Sequence, residues 1–306
     1  MEKQDLKYIE SIEIKGLWGR YDVDWKLNPD VNILVGENGT GKSTILKALE
    51  RVKNVINDSK NTSLHVELDN DIFISTLRIS IKINKENNYI HLNQGRFFNH
   101  KQSVSVGLKD INSLPKIDYI RTFDSTLNIS DIDRKFNPEL ETELDFYIKR
   151  ELEEYKDYQI NLSKKIINQQ QNPNIVFAKK RYFIDSINRL VSKTGKTLDE
   201  DENGITFLLD GKPIKTYELS SGEKQLLLIL LTILNQDEKP SILLMDEPEI
   251  SLHLRWQYEL IEIIRTLNPS CQLIIATHSP SIFGKGWRDK VTFINDIIPQ
   301  LKKIEV

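Results

Sequence analysis

Four short segments hold the residues best suited to chemistry. GENGTGKST, Gly36 to Thr44, fits the pattern G-x-x-x-x-G-K-[ST] between an apolar strand and a helix. A triphosphate needs many donors close around it. Glycine lets the backbone approach, so the N–H groups of Gly36, Glu37, Asn38, Gly39, Thr40 and Gly41, and those of Lys42, Ser43 and Thr44 at the helix start, can face phosphate oxygens. Lys42 would reach the β- and γ-phosphates, and Ser43 would hold Mg²⁺. A glycine turn that only caps a helix is the structural alternative.

SILLMDEPE, Ser241 to Glu249, delivers two carboxylates side by side at the end of a buried strand. Asp246 would support the Mg²⁺ shell, and Glu247 would act as general base on the attacking water. LSSGEKQ, Leu219 to Gln225, sets Ser220, Ser221 and Gly222 at a helix start, with Ser221 as the expected N-cap. Small residues there make an anion site, while a capping box with no ligand is the plainer reading. ATHSP, Ala276 to Pro280, ends a further apolar strand in His278, which could donate to a γ-phosphate and sense its loss. Its place one strand after the acidic pair favours that role over a structural one.

The elements that must position these residues follow from periodicity. Residues 7–14, VNILV at 31–35 and IDYIRTF from Ile117 read as strands, and a helix is expected from about Lys42 to Asn57. Residues 64–92 alternate apolar and polar positions, as antiparallel strands with one wet face do. ELETELDFYIKRELEEYKDYQINLSKKIINQQQ, after Pro138, lacks glycine and proline and reads as one helix of roughly 50 Å. NPN at 172–174 breaks it, and a second helical stretch runs from Ile175 to about Lys193. The two could form a projecting antiparallel arm or an ordinary helical subdomain. Lys179, Lys180, Arg181, Arg189 and Lys193 make the second stretch basic, suited to contact with a partner or nucleic acid, or else to a solvated helix face. GITFLLDGKPIKTYEL is a hairpin turning at Asp210-Gly211. Apolar strands alternating with helices imply a parallel sheet covered on both faces.

Composition narrows the class further. The chain has 306 residues and a net charge of −3, so it lacks the overall basic character of many nucleic-acid binders. One cysteine, Cys271, excludes an internal disulfide and a cysteine-rich zinc site, and suits a cytoplasmic setting. The charged N-terminus lacks the apolar core of a signal peptide, and the run Leu226 to Leu231 is too short to span a bilayer. No membrane insertion is expected.

In this order the four motifs resemble the ABC ATPase family, over about residues 7–57 and 205–295. The resemblance implies an α/β fold of the P-loop NTPase, ABC ATPase-head type. Its parts would be a mostly parallel core sheet, an antiparallel β subdomain and a helical lobe with a short helical arm. Residues 1–125 and 235–306 would be the nucleotide-binding lobe, and 126–234 the helical lobe, with its arm at about 138–193. ATP and Mg²⁺ are the implied cofactors. The resemblance also implies that Ser220, Ser221 and Gly222 act in trans on nucleotide held by a second copy. The partners would then be self, as an ATP-dependent homodimer or higher oligomer, and an effector protein, with a nuclease as one candidate. Nucleic acid is a further candidate.

ISLH, Ile250 to His253, takes the place of the D-loop. DEPE-x-SLH with THSP is similar to the RecF, SMC and OLD-type branch and unlike transporter subunits. The small size resembles ATPases of two-gene anti-phage systems such as the PARIS type. A RecF-like DNA-repair ATPase and, behind it, a transporter ATPase are the alternatives. The Q-loop has three candidate places: Gln94, Gln102 and Thr122 to Asp124.

Overall fold

VNILV, SILLMD and CQLIIAT show no polar alternation, so each needs cover on both faces, which a parallel sheet provides. The computed structural model describes residues 8–58, 76–83, 88–95, 103–106, 115–121, 142–201 and 204–301. In it these runs are β3 (Val31–Val35), β11 (Ser241–Asp246) and β12 (Cys271–Thr277). They form an all-parallel sheet of order β13–β3–β12–β11–β7, with β7 at Lys116–Ile120 and β13 at Val291–Phe293. Register aligns Val35 with Thr277, and Ala276 with Asp246. The three central strands therefore end level, and the residues that follow them emerge at one edge of the sheet, where ligands of open α/β sheets bind.

Contacts divide the chain into two compact units. The first comprises Met1–Ile120, Pro240–Glu247 and Ser270–Val306 and contains the parallel sheet. It also holds an antiparallel sheet of order β2–β1–β4–β5–β6. Its strands are β1 (Ile9–Leu17), β2 (Tyr21–Lys26), β4 (Thr76–Ile83), β5 (Asn88–Gly95) and β6 (Ser103–Val106). Helix α1 (Lys42–Asp58) and a single helical turn at Ile294–Ile297 complete a shared core. In that core Ile12, Ile14, Val23 and Trp25 meet Ile45, Leu46, Leu244, Ile274 and Ile294. Buried Gln272 ties the two sheets, accepting from Ile9 N and donating to Ile9 O at 2.8 Å each. Strand β2 was not anticipated, although Tyr21, Val23 and Trp25 alternate inward.

The second unit comprises Arg121–Lys239 and Pro248–Pro269. It is built on α5 (Ser221–Asn235), whose residues from Gly222 to Leu234 are all buried. Each leucine or isoleucine there contributes about 1.5–3 kcal/mol, which explains a helix without a polar face. Around α5 lie α2 (Glu143–Gln169), α4 (Ala178–Val191) and α6 (Leu254–Leu267). A three-stranded sheet has order β10–β9–β8, with β8 at Lys196–Asp201, β9 at Gly204–Leu209 and β10 at Lys212–Ile214. Asp210 and Gly211, with φ of 50° and 76°, make the expected hairpin turn.

The expected long helix is α2, capped by Thr142 and buried along one side as far as Leu162. A short turn, α3 (Pro173–Val176), joins it to α4. The pair is therefore mostly a packed subdomain, and only its far end, with Ile167 and Ile175 about three-quarters exposed, stands clear within this unit. Three of the basic residues expected to face a partner bond within the unit. Lys179 pairs with Glu238 at 3.3 Å, Arg189 with Glu259, and Arg181 donates to Asn174 O.

Candidate functional site

The glycine-rich loop leaves β3 at Val35 and enters α1 at Lys42. Gly39 and Gly41 have φ of 77° and 105°, backbone that side chains resist. Gly36 is fixed by space instead, since a Cβ there would lie 2.4 Å from Ile294 Cγ2. Thr40 Oγ1 donates to Glu37 O at 2.7 Å and braces the loop, whose outer residues Glu37, Asn38 and Gly39 are exposed. Thr44, in the first turn of α1, is half-buried.

Five of the sequence-selected side chains meet in the first unit. Ser43 Oγ donates to Asp246 Oδ1 at 2.9 Å, across a separation of 203 residues. Lys42, only 3% exposed, donates to Gly36 O and Glu37 O at 2.9 Å each and lies 2.8 Å from His278 Nε2. The same Nε2 is 2.9 Å from Glu247 Oε1. Glu247 has φ of 46°, the left-handed region, which costs a non-glycine residue about 1 kcal/mol or more. Its N–H donates to Ala276 O at 2.7 Å, and this bond to the neighbouring strand holds the strained peptide.

Asp246 is buried, and burial raises its pKa above the ordinary carboxylate value. The Ser43 hydroxyl opposes that shift, the Glu247 charge next door adds to it, and Tyr119 and Lys47 oppose it again. Tyr119, on β7, places its hydroxyl 3.4 Å from Asp246 Oδ2. Sequence reading missed Tyr119, because nothing in IDYI marks it as a neighbour of Asp246.

Ser43 and Asp246 are hard oxygen donors facing one another, a set that fits Mg²⁺. That ion is held by one or two protein oxygens together with substrate phosphates rather than by a full protein cage. Among the described residues no group of three or more His, Cys, Asp or Glu could hold a metal alone.

Ser220, Ser221 and Gly222 belong to the second unit. The N-cap of α5 is Ser220 and not the expected Ser221. Ser220 Oγ accepts from Glu223 N, and Glu223 Oε2 accepts from Ser220 N and Oγ at 2.9 and 2.8 Å, a complete capping box. Ser221 is thereby released from capping and exposed. Gly222 is buried, and a Cβ on it would lie 2.3 Å from Ser251 O. The first turn of α5 thus rests directly on the backbone of the Ile250–His253 segment, a contact the sequence did not predict.

Glu223 is anchored from behind by Lys196 Nζ at 2.8 Å and Thr194 Oγ1 at 3.0 Å. Burial works against its charged form, but the Lys196 bond, those from Ser220 and that from Thr194 outweigh it. The carboxyl is held below its ordinary pKa. Lys224 pairs with Asp145 at 2.8 Å, and Gln225 Nε2 donates to Arg121 O at 3.3 Å. Of the Q-loop candidates, Gln94 lies on β5, while Gln102 and Thr122 to Asp124 fall outside the described residues.

This arrangement has relatives. A family described as "AAA domain, putative AbiEii toxin, Type IV TA system" matches residues 31–284. The chain is 27% identical over 157 residues to the "Retron Vc95 probable ATPase" of Vibrio cholerae serotype O1 biovar El Tor, covering 48% of this chain and 29% of that protein. It is 23% identical over 302 residues to Septu protein PtuA of Bacillus mycoides (strain KBAB4), covering 90% of this chain and 38% of the relative. The chain therefore spans well under half the length of these two relatives. Among solved structures, an Smc head bound to the C-winged helix domain of ScpA matches with a TM-score of 0.55 at 19% identity, covering 90% of this chain and 91% of that one. Among the described residues no helix is long and apolar enough to cross a membrane. The Smc-head likeness shows a shared P-loop ATPase-head fold, and with the family match extending over most of its length the chain belongs to this AAA family and is an ATPase.

Proposed function

We propose that the edge formed by Gly36–Thr44, Asp246–Glu247 and His278 binds ATP with Mg²⁺ and hydrolyses it, and that the chain works as a nucleotide-gated dimeric switch. One observation carries this reading: side chains from three separate segments converge, Ser43 bonding Asp246 at 2.9 Å while His278 Nε2 lies 2.8 Å from Lys42 and 2.9 Å from Glu247. The P-loop amides and Lys42 bind the phosphates. Ser43 and Asp246 would hold Mg²⁺, whose positive charge would offset the negative charge developing on the phosphates. Glu247 takes the proton of the attacking water as general base, and His278 donates toward the γ-phosphate.

Ser220, Ser221 and Gly222 close on nucleotide held by a second copy. The exposed Ser221 at the N-terminus of α5 supports this, since a helix N-terminus attracts phosphate. The switch then acts on a separate effector protein, a nuclease being the first candidate, with a homodimer or a larger assembly as the closed state. The retron and Septu relatives and the toxin–antitoxin description support a setting in anti-phage defence, in the cytoplasm. Glu247→Gln tests the core of this. Hydrolysis is expected to fall by about 10² to 10⁴-fold while ATP binding stays, and light scattering is expected to show ATP-dependent association. Wild-type turnover in this variant would remove Glu247 from the base role.

A further inference from the structure

The imidazole nitrogen Nε2 of His278 lies within hydrogen-bond reach of both Lys42 Nζ, at 2.8 Å, and Glu247 Oε1, at 2.9 Å. One ring nitrogen carries either a proton or a lone pair. With a lone pair it accepts from the ammonium and offers Glu247 nothing. With a proton it donates to the carboxylate and has no lone pair left to accept from the lysine. The two bonds exclude each other, whatever the tautomer. Lys42 also donates to Gly36 O and Glu37 O.

We infer that His278 is a positioning residue which exchanges Lys42 for Glu247. While Lys42 leans on Nε2, Glu247 lacks a donor from the imidazole. A phosphate that draws the ammonium away lets the neutral imidazole change tautomer through solvent, giving up its proton at Nδ1 and taking one at Nε2, so that Nε2 orients the Glu247 carboxylate. The arrival of a diphosphate would thus be relayed to the general base through one atom, in addition to any contact His278 makes with a γ-phosphate. The strained Glu247 backbone fits this role, because a peptide pinned to Ala276 O leaves the side chain as the adjustable part.

The inference rests on the proposal that this edge binds nucleotide, and ADP separates the two. ADP has no γ-phosphate, so a histidine that only contacts that group contributes nothing to ADP affinity. A histidine that competes for the lysine weakens it. With Mg²⁺ and a fluorescent ADP, His278→Ala is expected to bind roughly five- to tenfold more tightly than the wild type, the worth of one released hydrogen bond. His278→Phe, which keeps the ring and loses both bonds, is expected to move the same way and serves if the alanine variant misfolds. His278→Gln carries an acceptor and a donor on separate atoms and can satisfy both partners at once, so it is expected to bind ADP no more tightly than the wild type. Lys42→Ala is the control for the site itself. If it leaves ADP affinity unchanged, the nucleotide site is wrong. If it weakens ADP binding while His278→Ala and His278→Phe match the wild type, the exchange is wrong and the site stands.

Discussion

Glu247 shows how much a single residue's environment decides. Its neighbour Asp246 is buried and bonded by Ser43, whereas Glu247 is half-buried beside an imidazole, so two adjacent carboxylates face different tasks. Glu223 makes a different case at the same scale, a buried carboxylate used for anchoring. Its folded pKa lies below the unfolded value, so its contribution to stability is present above the ordinary carboxylate pKa of about 4.3. That contribution is lost as pH falls through the depressed folded value. Glu223→Gln is expected to lower stability by about 2 kcal/mol at neutral pH, with the gap to wild type narrowing in acid. Denaturant titrations at a series of pH values check this, and a gap that widens below pH 4 would contradict the sign. Lys196 and Thr194, which hold this carboxylate, carry no motif, and their role could be read only from the fold.

At the scale of elements, α5 and the Ile250–His253 segment behave as one piece because Gly222 has no side chain. Glycine inside a helix ordinarily costs about 1 kcal/mol relative to alanine, so Gly222→Ala would stabilise an isolated helix. Here the added methyl meets a backbone oxygen at 2.3 Å, and the expected result is a loss of about 1–3 kcal/mol, seen as a lower Tm. A raised Tm would show that the two segments yield easily. The elements themselves were largely legible. Runs apolar on both faces became parallel strands, and the Asp210-Gly211 pair became a hairpin turn. The N-cap was legible too: the spacing Ser-x-x-Glu ending at Glu223 points to Ser220, and the choice of Ser221 overlooked it. Within the site, the approach of Ser43 to Asp246 followed from the motifs. The meeting of Lys42 with His278, and of Gly222 with Ser251, did not, because side-chain reach across 236 and 29 positions depends on packing that no local pattern encodes.

At the scale of the whole molecule, Lys42 and Ser221 belong to different units of one chain, and both are suited to phosphate. If a nucleotide lies between two copies, Lys42→Ala and Ser221→Arg are each expected to be inactive alone. Their mixture is expected to recover activity, up to about half per heterodimer if the sites act independently, because one site then carries both wild-type motifs. ATPase assays of the mixture check this, and wild-type activity from Ser221→Arg alone would refute the shared site. A different consequence follows from the close approach of Ile294 to Gly36. The family match covers residues 31–284, yet β1 and β2 lie before it and Ile294 beyond it, all within the core that supports the glycine-rich loop. The stretch recognisable by homology is therefore smaller than the stretch that must fold together. A fragment cut at residues 31 and 284 would leave the loop without its floor, and an enzyme engineer trimming this chain to its recognisable part would discard what holds the nucleotide loop in shape.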